Sequence, residues 1–381
     1  MLTEAHPMQK TEIMVIGGGL AGMAVAYGLA RLGRQVSVLD EGDTALRAAR
    51  SNFGLLWVQG KGYGMPAYAR WTLQSVALWP QLARLLLDDT GIEVHLRQPG
   101  GFQLCLSDAE MAEESRRLCW LKDALDGDYP FELLDPAALR KRLPGVGPQV
   151  VGACYSPLDG HVNPLKLLRA LHAACQTRGV TLLNGRRVSG IAQRGEGFEI
   201  ASGDQRWHSE RLVLAAGLGN RELGALLGQP VPVQPSRGQI LVTERLEPFL
   251  HYPTSTVRQT DEGTVQLGDS AESVGFDDGT SSAVMADIAG RAVRCFPRLA
   301  NVRLVRAWGA LRVLSPDGAP IYQALPGAPG ASLLSCHSGV TLAAAHALRL
   351  APWIAGEQAL PEISPFDLQR FTTPAEVRHA S

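Results

Sequence analysis

Three glycines and one acid mark the first place where this chain could do chemistry. Gly17, Gly19 and Gly22 spell G-x-G-x-x-G. They follow a short apolar run, Ile13 to Ile16, of the kind that forms a buried parallel strand. They open a stretch, Leu20 to Leu32, in which Ala, Leu and Met recur at helical spacing. Gly33 ends it, and Val36, Val38 and Leu39 lead as a second strand to Asp40. These residue types suit a dinucleotide. Gly17 allows a tight strand-to-helix turn, Gly19 lets a pyrophosphate reach the backbone, and Gly22 lets the helix lie close to the strand. The helix start offers unpaired N–H groups to phosphate. Asp40, about 20 residues on, is placed to accept from a ribose hydroxyl, and an acid there argues against NADP.

Three more stretches point the same way. After the second strand comes Arg47-Ala48-Ala49-Arg50-Ser51-Asn52-Phe53-Gly54-Leu55. Small and hydrogen-bonding residues beside Gly54 suit a backbone lying against a flat ring. Arg211 to Gly217 reads as a buried strand ending in the small residues Ala215, Ala216 and Gly217, which allow close approach to a nucleotide. Ser332 to Cys336 reads as a strand that runs into His337-Ser338-Gly339-Val340-Thr341 and a helix reaching Trp353. This second glycine-bearing turn would bring another positive helix end to the nucleotide fold.

The surrounding composition narrows the class. The 36 basic and 37 acidic side chains nearly balance, so nothing favours nucleic acid. Six cysteines stand singly, at 105, 119, 154, 175, 295 and 336, with no C-x-x-C. That argues against a disulfide framework, a metal site and a self-contained iron–sulfur cluster. The leader, Met1 to Thr11, carries Glu4 and no apolar core, unlike a secretory signal. The apolar stretch 13–30 is explained by the glycine fingerprint, so no transmembrane segment is expected. The expected location is the cytoplasm, with peripheral association at the inner face of the membrane left open.

With 381 residues, two domains are expected. Residues 66–90 read as a helix. Ile92 to Leu96 alternates like a strand, Gly101 to Leu106 reads as another, and helices start at Ser107 and Asp135-Pro136. Asn163-Pro164 precedes an amphipathic helix that Gly179 ends, and strands follow at Val180 to Leu183 and Val188 to Ile191. Gly238 to Thr243 is a strand, Ser255 to Arg258 and Thr264 to Gly268 form a hairpin, and Ser281 to Phe296 is a helix. The expected layout is a nucleotide domain from 1–90, 151–230 and 301–381, with a second domain from 91–150 and 231–300.

In order, these motifs and the stretch Trp308 to Pro320 resemble the FAD-dependent D-amino-acid oxidase (DAO) superfamily, over almost the whole chain. The stretch Val233 to Leu246, with Asp277, Arg294-Cys295-Phe296-Pro297 and Arg306-Ala307-Trp308, is similar to the flavin subunits of multi-subunit amine dehydrogenases. That subgroup includes opine oxidases, hydrogen cyanide synthase and D-hydroxyproline dehydrogenases. The resemblance implies an α/β fold: a Rossmann-like FAD-binding domain of the DAO type with a discontinuous α+β substrate domain on an antiparallel sheet. It implies FAD, an amine or amino-acid substrate, and companion subunits including an iron–sulfur protein. Relatives with a second flavin, FMN, place it near the boundary between subunits, and His161 falls in that region. One departure is Arg50 to Leu55, where several oxidases carry an Ala/Ser-rich run.

The same resemblance assigns expected contacts. The flavin nucleotide would meet Gly17, Gly19, Leu20, Ala21 and Gly22 at the first turn, then Asp40 and Glu41. Ser51, Asn52, Gly54 and Leu55 would follow the ring, as would Val188, Ala216 and Gly217 on the next strands and Gly339, Val340 and Thr341 at the second turn. Arg312 matches the residue that holds the substrate carboxylate, a task a guanidinium performs in bidentate fashion. His337 matches a position beside the flavin. Tyr252 and Arg258 fall in the region that lines family active sites. The implied reaction is hydride transfer from the substrate to flavin N5, with cis-4-hydroxy-D-proline as the expected substrate and opines and glycine as rivals. A stand-alone glycine- or sarcosine-type oxidase and a non-catalytic flavoprotein subunit stay open. The residues single out no catalytic base.

Overall fold

A computed structural model describes residues 9–42 and 48–372. The start of the leader and Arg47 lie outside the described residues. Six strands carry the site: β1 (Gln9–Ile16), β2 (Val36–Leu39), β3 (Gln205–Leu214), β4 (Gln234–Arg245), β5 (Leu304–Leu314) and β6 (Ala331–Ser335). Three helices cover them: α1 (Leu20–Arg31), α2 (Pro66–Thr90) and α3 (Pro164–Thr177).

The first sheet runs Ile321–Ala324, β6, β3, β1, β2 and Thr181–Leu183. Along this path all neighbours are parallel except Ile321–Ala324, which pairs antiparallel with β6, and off the path Gly197–Ser202 pairs antiparallel with both β3 and Gly190–Arg194. The apolar run in β1 is continuous because both faces are covered. Ile13 and Val15 join a core with α1, α2 and α3, while Met14 and Ile16 join another with Leu39, Leu212 and Leu214. That split is the period-2 alternation of a strand. The parallel register brings the ends of β1, β2, β3 and β6 to one edge. Gly17, Asp40, Ala215 and Cys336 follow there, where ligands of open α/β sheets bind.

The second sheet is antiparallel, in the order Val257–Gln259, Thr264–Leu267, β4 and β5. A small sheet of Gly101–Cys105, Gly152–Ser156 and Glu132–Leu134 packs with it around Phe102, Leu104, Leu241 and Leu267. Thus β5, grouped above with the nucleotide segments, hydrogen-bonds along β4 from Gln234–Leu314 to Thr243–Leu304. Residues 152–156 likewise pair with strands from the 91–150 segment.

One expected strand is absent. Residues 92–96 form no regular element, because His95 sits at φ 52°, in the left-handed region an extended strand does not contain. Its imidazole instead faces Asp261 at 3.3 Å. The strand expected at Val188 begins at Gly190. The last helix starts at Ala343 and carries a π turn at His346–Leu350 before Ile354, beside Pro352.

That helix lies against α1 at Gly28, where an added Cβ would strike the Ala347 carbonyl and come within 2.5 Å of the Ala351 Cβ. Gly28→Ala is therefore expected to destabilise the fold by about 1–3 kcal/mol, read as a lowered urea midpoint.

Candidate active site at the strand ends

Two cavities meet at this edge. The larger, of about 540 Å³, runs past the first glycine turn. Gly17, Gly19, Leu20, Ala21, Asp40 and Glu41 line one part of it. Val188, Ala216, Gly217 and Gly339 line another. The smaller, of about 230 Å³, is bounded by Ser51, Leu55, Arg312, Val340 and Thr341. Asn52, Cys336 and His337 belong to both walls, so the two spaces adjoin.

The glycines divide the labour as their spacing implies. Gly17 has φ +117°, and a Cβ there would strike the Ala215 carbonyl oxygen. A Cβ on Gly22 would strike the Gly17 carbonyl oxygen, so α1 needs bare backbone to sit on the turn. Gly22 accordingly packs beneath the cavity and does not line it. Gly19 precedes α1 with nothing nearer a Cβ than Ala49 at 3.7 Å. This is an open cradle at a helix N-terminus, and it suits a pyrophosphate. Asp40 accepts from the N–H groups of Gly18 (2.7 Å) and Gly42 (2.9 Å), which fixes its carboxylate at the cavity wall. The residues present therefore fit a flavin nucleotide.

Strands that are distant in sequence are bolted together around these cavities. Asn220, 0 % exposed, donates to the carbonyl of Leu334 (2.9 Å) and to Ser335 Oγ (2.7 Å), and accepts from the Ala216 N–H (2.9 Å). It thereby joins the ends of β3 and β6. Thr341 Oγ1 accepts from the Trp57 N–H and donates to the Leu55 carbonyl, tying the second turn to the ring-facing loop. Asn52 Oδ1 accepts from the Gly54 N–H at 2.7 Å. Gly54, at φ +87°, lies against Val162 and Pro164, outside both cavities.

Arg312 projects from β5 into the smaller cavity. It donates to the Ser270 carbonyl at 2.5 Å and pairs with Asp269 at 2.7 Å. Its guanidinium occupies the space a Cβ on Gly238 would take, so Gly238 admits it. His337 is held well below the usual histidine range by burial, then by Lys61 and Arg312, and is neutral. Burial pushes the Cys336 thiol up to about 12, so it stays protonated.

Tyr252, expected here, is elsewhere. Its ring packs edge-on against Phe102 at 5.2 Å and near Tyr155, in the core under the second sheet, and lines neither cavity. Arg258 also misses the cavities. It is 2 % exposed and donates to the Phe53 carbonyl, to Gln266 and to His161 Nδ1 (3.2 Å). Burial lowers it to about 10, and burial with Arg258 lowers His161 to about 3. The hairpin register, invisible in sequence, turns Arg258 inward, while Tyr252 lies before the hairpin, half-buried against Phe102.

Lys61 is the residue the motif reading missed. It lines the smaller cavity and donates to Ser338 Oγ at 2.7 Å. Burial lowers its ammonium to about 8. Its one sequence signal is a lysine framed by Gly60, Gly62 and Gly64 after an apolar stretch. Asp159, 0 % exposed, secures that loop by accepting from the Val58 N–H (2.5 Å) and Gln59 Nε2 (2.6 Å).

A family model described as FAD-dependent oxidoreductase (DAO) matches residues 12–353. The chain belongs to the DAO family of FAD-dependent oxidoreductases. This DAO-family flavoprotein is 43 % identical over 365 residues to an opine oxidase subunit of Agrobacterium tumefaciens, covering 96 % of this chain and 98 % of that protein. It is 29 % identical to hydrogen cyanide synthase subunit HcnC of Pseudomonas aeruginosa, covering 96 % and 97 %. Its fold matches glycine oxidase from Geobacillus kaustophilus with a TM-score of 0.88 at 23 % identity, covering 98 % and 100 %. The DAO-family chain thus has the α/β fold, the FAD and the amine-directed oxidoreductase class that its motifs imply. Among the described residues, no helix is long and apolar enough to cross a membrane.

Burial raises Asp159 to about 7. A carboxyl whose pKa is higher folded than unfolded adds stability at low pH and loses it as pH rises through the folded value. Stability is therefore expected to fall between about pH 4 and pH 7, and Asp159→Asn to flatten that slope. Urea unfolding across pH checks this.

Proposed function

We propose that the chain is the flavin-bearing subunit of an enzyme that oxidises opine-type secondary amines and passes the electrons to companion subunits, one of them an iron–sulfur protein. The reading takes the cytoplasm, or the inner face of the membrane, as its compartment. The observation that carries it is Arg312, held by Asp269 and Gly238 in a cavity that adjoins the nucleotide cavity at Asn52, Cys336 and His337. The likeness to the Agrobacterium tumefaciens opine oxidase chain supports the substrate class. The narrower expectation of cis-4-hydroxy-D-proline has no such support. Single cysteines along the chain agree with a cluster carried by another subunit.

FAD held along the larger cavity by the Gly17–Gly19 turn, Asp40 and the Ala216–Gly217 strand end would supply the hydride-accepting chemistry. The chain supplies position and field. Arg312 would grip a substrate carboxylate through its free N–H groups while Asp269 and the Ser270 carbonyl keep the guanidinium in place. Orientation of this kind is a major part of such catalysis. His337, being neutral, shapes the junction without adding charge. The substrate amine must be neutral before hydride leaves its carbon.

The test is anaerobic mixing of the FAD-loaded chain with octopine, nopaline, cis-4-hydroxy-D-proline, D-proline, sarcosine and glycine, following the flavin band near about 450 nm. Octopine or nopaline is expected to bleach it, and Arg312→Ala to slow that step by about 100-fold or more. Bleaching by glycine or sarcosine alone, or by nothing, would count against the opine reading. Rapid oxygen consumption by the isolated chain would favour a stand-alone oxidase.

A further inference from the structure

We propose that Lys61 seats a second substrate carboxylate, so that the cavity holding Arg312 takes secondary amines flanked by two carboxylates. This rests on the opine-type reading above and names the residue that reads the second of the two carboxylates such amines carry.

The argument begins with the charges facing the smaller cavity. Among the described residues, Lys61, Asp269 and Arg312 are the charged side chains in its wall. Asp269 and Arg312 are paired at 2.7 Å, so their charges largely cancel. Lys61 has no such partner among the described residues. Its hydrogen bond goes to the neutral Ser338 hydroxyl, which is bonded in turn to the Tyr68 hydroxyl at 2.8 Å. The other groups acting on it are the protonated Cys336 thiol, Arg312, Asp269 and the buried Asp159. Asp269 and Asp159 act on Lys61 without pairing with it, so the cation is only partly compensated, and a carboxylate placed directly beside it offsets the cost of burial.

The charge count selects the ligand. With Lys61 protonated, two cations stand against one acid, and the cavity carries one net positive charge. An amino-acid zwitterion with one carboxylate is neutral. The reacting core of an opine-type substrate, a protonated secondary amine joining two carboxylate-bearing carbons, carries one net negative charge whatever the rest of the molecule bears, and that core complements the cavity. The two cations also enter on separate supports. Lys61 comes from the turn that Asp159 secures, and Arg312 from β5, backed by Asp269 and Ser270. Each carboxylate therefore meets a cation whose backing is fixed independently.

Two unreactive probes isolate the second carboxylate. Diglycolate has two carboxylates about an ether oxygen in place of the amine, and methoxyacetate has one. Binding to the FAD-loaded protein is measured by calorimetry and by the shift of the flavin spectrum. Diglycolate is expected to bind about tenfold or more tightly than methoxyacetate. Lys61→Met should weaken diglycolate much more than methoxyacetate and so remove that advantage, while Lys61→Arg should keep most of it. Calorimetry near pH 8 in buffers of different ionisation heat should show proton uptake with diglycolate on the wild type and none on Lys61→Met. Equal affinity for the two probes in the wild type, which requires no variant to fold, would overturn the proposal. So would a Lys61→Met that weakens both probes alike. If dicarboxylate and monocarboxylate amines bleach the flavin equally well, amine oxidation stands and this inference falls. If no amine bleaches it, the functional reading falls, and the probe pair still reports on Lys61.

Discussion

Helix α1 can rest on the turn that precedes it only because two positions carry no side chain. A Cβ on Gly22 would drive into the Gly17 carbonyl, and a Cβ on Gly17 would drive into Ala215 at the end of β3. The close approach aims the helix N-terminus at the open space beside Gly19. It also lets the turn pass close to the end of β3, which the parallel ladder holds beside β1. The parallel register then delivers Asp40, Ala216 and Cys336 to the same edge. Chemistry placed at this edge inherits its precision from strand pairing rather than from loop conformation.

The smaller cavity depends on a different constraint, the cost of enclosing charge. Arg312 is stabilised by Asp269 and a backbone carbonyl, and Gly238 provides the room. Lys61 is supported by a hydroxyl alone, and burial lowers its pKa to about 8. His337 responds to the same field and stays neutral. The cavity is thus polarised positive before any ligand enters, next to a space shaped for a flavin. Preorganised charge of this kind needs no rearrangement when an anion arrives.

Among sequence-level expectations, those with a local physical cause fared best. The βαβ unit at 12–40, the helix at 66–90 that opens at Pro66 and closes at Gly91 with φ +69°, and the Asn163 cap before Pro164 each follow from neighbouring residues. The alternation at 92–96 misled because His95 takes a left-handed conformation and turns to Asp261, a partner far along the chain. Arg258 is turned inward by the register of the 257–267 hairpin, and Tyr252 packs half-buried against Phe102, so neither reaches the cavities. Lys61, Asn220 and Asp159 carried little motif signal, since each acts through contacts with distant segments.

The sequence by itself determined the dinucleotide-binding unit, because glycine spacing, apolar periodicity and strand-end residues act within a few residues of one another, while the family and its FAD were legible through the resemblance of ordered motifs along the whole chain. Tertiary structure alone decided that β5 joins β4, and so places Arg312 opposite the 57–61 turn. It also decided which ionisable groups are buried with a partner and which without. Those outcomes depend on pairing between segments distant along the chain and on exclusion of water, and neither leaves a mark in local residue order.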